Sequence, residues 1–75
     1  MTMHPFTRFR RAHTPPMTMA DLGRLVGMDR SNVLRIERGE RQVSLALLGQ
    51  VSARTGIAIT ELRPDLRELL EQAAE

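Results

Sequence analysis

The sequence predicts an all-α protein, a compact bundle of five to six short helices. Three observations predict it. Apolar residues recur three or four apart along most of the chain, and no segment alternates apolar with polar residues as a half-buried strand does. Thr, Asp or Ser stands just before three of these periodic runs, where a helix N-cap belongs. Gly or Pro stands where runs stop or start. At 75 residues the expectation is one domain, residues 1–75. A domain this small buries only roughly 60% of the surface its unfolded chain exposes, so a partner chain would add stability.

The elements follow in order. Pro5 suits the first position of a helix running to about His13, with Phe6 and Phe9 on one face. Thr14-Pro15-Pro16 ends it, because tandem prolines cannot continue a helix. Thr18 caps a second helix, Met19 to Val26, with Leu22, Leu25 and Val26 inward and Gly27 in the left-handed position after it. Asp29 caps a third, Arg30 to Arg38, with Val33 and Ile36 inward and Gly39 as its stop. After the polar loop Glu40-Arg41-Gln42, Ser44 caps a fourth helix to about Thr55, with Leu45, Leu48 and Val51 inward and Gly56 as its stop. Gly49 inside that helix costs about 1 kcal/mol relative to Ala, which points to a close helix contact there. Thr60 opens a short helical turn through Leu62, and Pro64 and Asp65 start a last helix, residues 64–74.

Composition narrows the chemistry. With no cysteine there is no disulfide framework and no thiolate metal cluster. His4 and His13 lack partners at metal-ligand spacing and read as solvent-facing or capping residues, so no metal and no cofactor is expected. Met17, Met19 and Met28 read as core filler. No nucleophile–base pair, phosphate-cradling glycine loop or pair of convergent carboxylates stands out, and an enzyme is not expected. The opening MTMHPFTRFRR has no apolar run of a secretory signal, and no stretch nears the about 18 apolar residues of a membrane span. The expectation is a soluble, cytoplasmic protein with no membrane partner.

The net charge of +2 is unevenly spread. Residues 1–41 carry eight arginines against Asp21, Asp29, Glu37 and Glu40, whereas residues 42–75 carry three arginines against five carboxylates. A positive first half points to a polyanion partner. Every basic residue is arginine. A genome rich in G and C gives that bias without selection on function, and both readings stand. In either case arginine offers a planar fork for guanine or phosphate.

The informative feature is the pair of short helices on either side of Gly27-Met28, residues 18–39. Helices joined by so short a turn cross steeply, and the crossing needs a small residue, which Gly23 supplies. Leu22, Leu25, Val26, Met28, Val33 and Ile36 are spaced to join the two helices to each other and to the bundle. The free face of the third helix then carries Arg30, Ser31, Leu34, Arg35 and Arg38. A rigid helix with arginines along one face fits the DNA major groove, about 12 Å wide.

From Met17 to about Leu62, "MTMADLGRLVGMDRSNVLRIERGERQVSLALL" and the residues after it resemble the Cro- and phage-repressor-type helix-turn-helix proteins, a lambda-repressor-like fold. "IERGER" is particularly typical, and the closing "TELRPDL" looks like the end of Cro-like regulators of phages and toxin–antitoxin loci. The resemblance implies that Arg30, Ser31 and Arg35 read bases, each arginine–guanine pair contributing roughly 1–3 kcal/mol of discrimination. It places Leu34 where the family approaches a thymine methyl, and a packing role for Leu34 stands beside that one. It implies phosphate contacts by Asn32, Arg38 and Arg41, and by the hydroxyl or backbone N–H of Thr18. It also implies an ion pair between Glu37 and an arginine of the first helix, Arg10 or Arg11, with Arg10 preferred. Two departures show. Met19 stands where many members carry a backbone-clamping glutamine, and Pro15-Pro16 looks like an insertion in the first turn.

The functional expectation is a dimeric repressor that binds double-stranded DNA at a palindromic operator near its own gene, on a phage or mobile element in a bacterial host. Such dimers present two reading helices about 34 Å apart. The last helix carries Leu66, Leu69, Leu70 and Ala73 at i, i+3, i+4 and i+7, which either folds back on the bundle or forms a homodimer or partner surface. The alternative is an antitoxin whose acidic last helix binds a toxin or other protein and whose DNA binding serves autoregulation. A third reading keeps the fold as a protein-interaction module without DNA binding.

Overall fold

The first three helices begin where a side chain accepts from a backbone N–H that has no partner within its own helix. A computed structural model describes residues 3–73. In α1 (Pro5–Arg11) the imidazole Nδ1 of His4 accepts from the Phe6 N–H at 3.0 Å. In α2 (Met19–Val26) Thr18 and Asp21 form a reciprocal box, each side chain accepting from the other's backbone N–H. In α3 (Arg30–Glu37) Asp29 accepts from the Asn32 N–H at 2.9 Å. The remaining helices are α4 (Leu45–Thr55), α5 (Ile59–Leu62) and α6 (Pro64–Ala73). Among the described residues there are six helices and no strand, the all-α bundle that the periodicity predicts.

The core is assembled from every helix but the last, plus one loop residue. Phe6, Leu22, Val26, Val33, Ile36, Val43, Leu48, Val51 and Leu62 are buried, and Phe9, Met17, Met19, Leu25, Met28, Leu47, Ile57 and Leu66 pack around them. At about 25 cal/mol per Å² of apolar surface removed from water, this one cluster is the main source of stability. Among the described residues no buried side-chain polar atom lacks a hydrogen-bond partner.

Several local expectations are corrected. The first helix ends at Arg11 rather than near His13, because the chain turns there: the His13 and Met17 N–H groups both donate to the Arg10 carbonyl. The third helix ends at Glu37, with Arg38 as its cap and Gly39 at φ +77°, and the Glu40 N–H folds back to the Arg35 carbonyl at 2.9 Å. Ser44 precedes α4 but makes no side-chain cap bond. Leu45, the first residue of α4, is 66% exposed, and only Leu48 and Val51 of the expected inward set are buried. Gly49 approaches nothing: a Cβ built there meets no atom within 4 Å, so its helix cost is not repaid by a contact. The short helix starts at Ile59, one residue before Thr60, with Ala58 at its N-cap.

Of the stripe expected on the last helix, Leu66 is half-buried against the core and Leu69 is 58% exposed. The side chains of Leu70 and Ala73, and the expected end of this helix at residue 74, lie outside the described residues. The principal packing of α6 is on the short α5.

Candidate nucleic-acid interface

The aim of α3 is set by what it touches on α2. A Cβ added at Gly23 would overlap the carbonyl oxygen of Met28, in the turn that leads into α3. Only glycine lets the two backbones come this close. Gly27 then turns the chain at φ +82°, and the Gly27 and Met28 N–H groups both donate to the Gly23 carbonyl, at 2.8 and 2.9 Å. Two other carbonyls at this helix end are met from α4. The Gln50 amide donates to the Val26 carbonyl and the Arg54 guanidinium to the Leu25 carbonyl, both at 3.0 Å. One turn apart on α4, these two side chains hold the end of α2 and so the turn itself.

Val33 and Ile36 seat α3 on the core. Its far end is tied to α1 by Glu37, whose side chain is 6% exposed. Arg10 donates to both carboxylate oxygens, from Nε at 2.8 Å and Nη2 at 2.7 Å, and the Thr7 hydroxyl donates at 2.6 Å. The remaining Arg10 nitrogen, Nη1, donates to the Met17 carbonyl at 3.1 Å, just before α2. Burial by itself pushes the Glu37 carboxyl up. The hydrogen bonds from Arg10 and Thr7, together with the Arg10 charge, outweigh it and hold the group below its ordinary value. The bond to Glu37 likewise raises Arg10 further.

What remains of α3 is its outer face. At about 100° per residue, Arg30, Leu34, Arg38, Ser31 and Arg35 fall within about 140° of arc, opposite Val33 and Ile36. Arg30, Arg35 and Arg38 are exposed, and among the described residues they enter none of the ion pairs that engage Arg8, Arg10, Arg24, Arg63 and Arg67. Leu34 between them is half-buried. Ser31 is exposed, but its hydroxyl donates to Asp29 at 3.0 Å and so leaves its lone pairs outward. The Asn32 N–H and the Ser31 hydroxyl hold the Asp29 carboxyl below its ordinary value.

The structure brings Asn32 and Arg41 together. Arg41, in the loop after α3, donates from Nη1 to Asn32 Oδ1 at 2.5 Å, leaving both amide N–H groups of Asn32 available to an acceptor. At the start of α2 the Thr18 N–H already donates to Asp21, so an outside acceptor has to compete with that carboxylate for Thr18. The Thr18 hydroxyl and N–H and the Arg24 guanidinium hold the Asp21 carboxyl low.

A family model described as Helix-turn-helix matches residues 17–62, more than half of the chain. The chain belongs to the Cro- and phage-repressor-type helix-turn-helix family. No curated protein and no solved structure matches it significantly. The helix-turn-helix family is one of DNA-binding transcription regulators, and the matched span holds both helices, the turn and the loop with Arg41. No helix of the described residues is long and apolar enough to cross a membrane.

Several residues that build this helix-turn-helix have no signal in the sequence. Gln50 and Arg54 act on carbonyls far back along the chain, and a polar pair on an exposed helix face is no sign of such a partner. Thr7 joins the Glu37 site only because α1 lies across the end of α3. Arg63 reaches back in the same way, to the Val43 carbonyl in the loop before α4.

Proposed function

We propose that this protein is a dimeric repressor that binds a palindromic double-stranded DNA operator, including one at its own promoter. The observation that carries the reading is the outer face of α3, where three arginines stand exposed and unengaged among the described residues. Arg8, Arg10, Arg24, Arg63 and Arg67 are paired with carboxylates and Arg54 with a backbone carbonyl; the arginines of the α3 face are open to an anion or a base edge. In this reading Arg30, Ser31, Leu34 and Arg35 meet base edges in the major groove, and Thr18, Asn32, Arg38 and Arg41 hold phosphates. Bound across a promoter, the protein excludes polymerase. A phage or mobile element in a bacterial cytoplasm is the setting in keeping with the family.

The test is fluorescence-anisotropy binding to the duplex upstream of its own gene and to a shuffled duplex, at two salt concentrations. A preference of about 10³-fold or more with steep salt dependence is the expected result. Equal, weak binding to both would remove the autorepressor reading.

One observation favours a second reading. Helix α6 rests mainly on α5, leaves Leu69 58% exposed, and carries Asp65, Glu68 and Glu71 against a single Arg67. An acidic amphipathic helix of this kind suits a basic groove on a partner protein, as in an antitoxin that also represses its own operon. Pull-down with the product of the neighbouring gene, using the full chain and a chain ending at residue 63, separates the two.

A further inference from the structure

Arg63, at the junction of α5 and α6, ties two parts of the molecule together. Its Nε and Nη2 form a fork on the Asp65 carboxylate, at 3.0 and 2.8 Å, and its Nη1 donates to the Val43 carbonyl at 3.0 Å. The Arg63 side chain is 15% exposed and its bond to Val43 is half-buried, whereas the Asp65 carboxylate stays 44% exposed. Val43 closes the loop that carries Arg41, and it is itself fully buried. The same loop lies along the α5–α6 junction, where Gln42, Val43, Leu62 and Pro64 line a shallow groove. The loop has no regular structure between Gly39 and Ser44, so its path depends on such outside contacts.

We propose that Arg63 is a positioning residue for DNA binding: it never touches DNA, but its bond to the Val43 carbonyl sets the loop so that Arg41 meets a phosphate. The inference rests on the reading of Arg41 as a backbone contact. Its consequence is that the state of α6 reaches the DNA-facing side through two side chains, Asp65 and Arg63. Lysine cannot replace arginine here, because one ammonium cannot span a carboxylate fork and a carbonyl in the same plane.

The experiment is the salt dependence of binding to a fluorescein-labelled, mixed-sequence duplex, with folded fraction checked by circular dichroism. Removing one phosphate interaction lowers the slope of log K against log salt by about 0.9. Arg41→Ala is expected to lower it by that amount. Arg63→Lys, which leaves net charge unchanged, is expected to lower it nearly as much, and the double variant no further than Arg41→Ala alone. Should Arg63→Lys fail to fold, Asp65→Ser carries the test. It removes a negative charge, which favours DNA, so a lower slope must come from loop position. If Arg41→Ala lowers the slope while Arg63→Lys, or Asp65→Ser in its place, does not, the positioning role is overturned and the reading of Arg41 stands. An unchanged slope in Arg41→Ala overturns both.

Discussion

The side-chain amide of Gln50 donates to the carbonyl of Val26 at 3.0 Å, from a helix 24 positions further along the chain. It also lies against Gly27, where a Cβ would come within 2.7 Å of its nitrogen. The turn of the helix-turn-helix is therefore fastened from α4, not only from within. Gln50→Ala is expected to cost about 1 kcal/mol. For a domain of this size that lowers Tm by roughly 4–8 °C, measured by circular dichroism. An unchanged Tm would mean that water replaces the amide without loss.

Two glycines in neighbouring helices predict opposite results. Gly23→Ala forces a Cβ onto the Met28 carbonyl and is expected to destabilise by about 1–3 kcal/mol, as overpacked sites do. Gly49→Ala adds a methyl in open space on an exposed helix face and is expected to stabilise by nearly 1 kcal/mol. Chemical denaturation of both variants checks the pair.

How much of this was legible beforehand follows from the range of each interaction. Caps at Thr18 and Asp29 and the turns at Gly27 and Gly56 act within a few residues, so their sequence signals are local and the element boundaries of α2 fall where those signals place them. Leu45 misleads because a leucine three positions before Leu48 fits the inward stripe on spacing alone; the structure turns it to solvent. The outer face of α3 is legible because the positions that seat the helix on the core, Val33 and Ile36, are apolar. The bonds made by Gln50, Arg54 and Arg63 end on backbone carbonyls, which have no letter in the sequence.

Acid should weaken the fold in two stages. Burial, against the raising effect of Glu37 and with the lowering effect of Arg8, holds His4 below its ordinary 6.5. Its neutral Nδ1 is the acceptor for the Phe6 N–H, so this contribution is complete above pH 6.5 and is lost as pH falls through the lowered value. Glu37, held below its ordinary 4.5, contributes fully above that pH and fails as pH falls further. Urea denaturation against pH is expected to show both steps. His4→Asn keeps a capping acceptor and should remove the upper one alone.

Breaking the same ion pair at neutral pH is expected to be severe. Arg10→Met leaves a nearly buried carboxylate with only Thr7 as a side-chain donor, a loss of about 3–5 kcal/mol in such pairs. Arg10→Met with Glu37→Leu should recover most of it. A double variant no more stable than the single one would show that Thr7 and Met17 need Glu37 and Arg10 for reasons beyond charge.

On DNA, the two arginines at the end of α3 should separate. Arg35→Ala is expected to remove about 1–3 kcal/mol of preference for the operator over a shuffled duplex. Arg38→Ala should weaken both duplexes alike and lower the salt slope by about 0.9. Equal losses of preference in both variants would reassign Arg38 to base reading.

The backbone approach at Gly23 has a further consequence, for how such a protein changes over generations. Since α2 and the turn into α3 meet main chain to main chain, the trajectory of α3 leaves no room for gradual adjustment at that point. The outward side chains from Arg30 to Arg38 carry no share of the core and are open to exchange. New sequence preferences can thus arise by swapping letters on a rail whose direction is inherited unchanged.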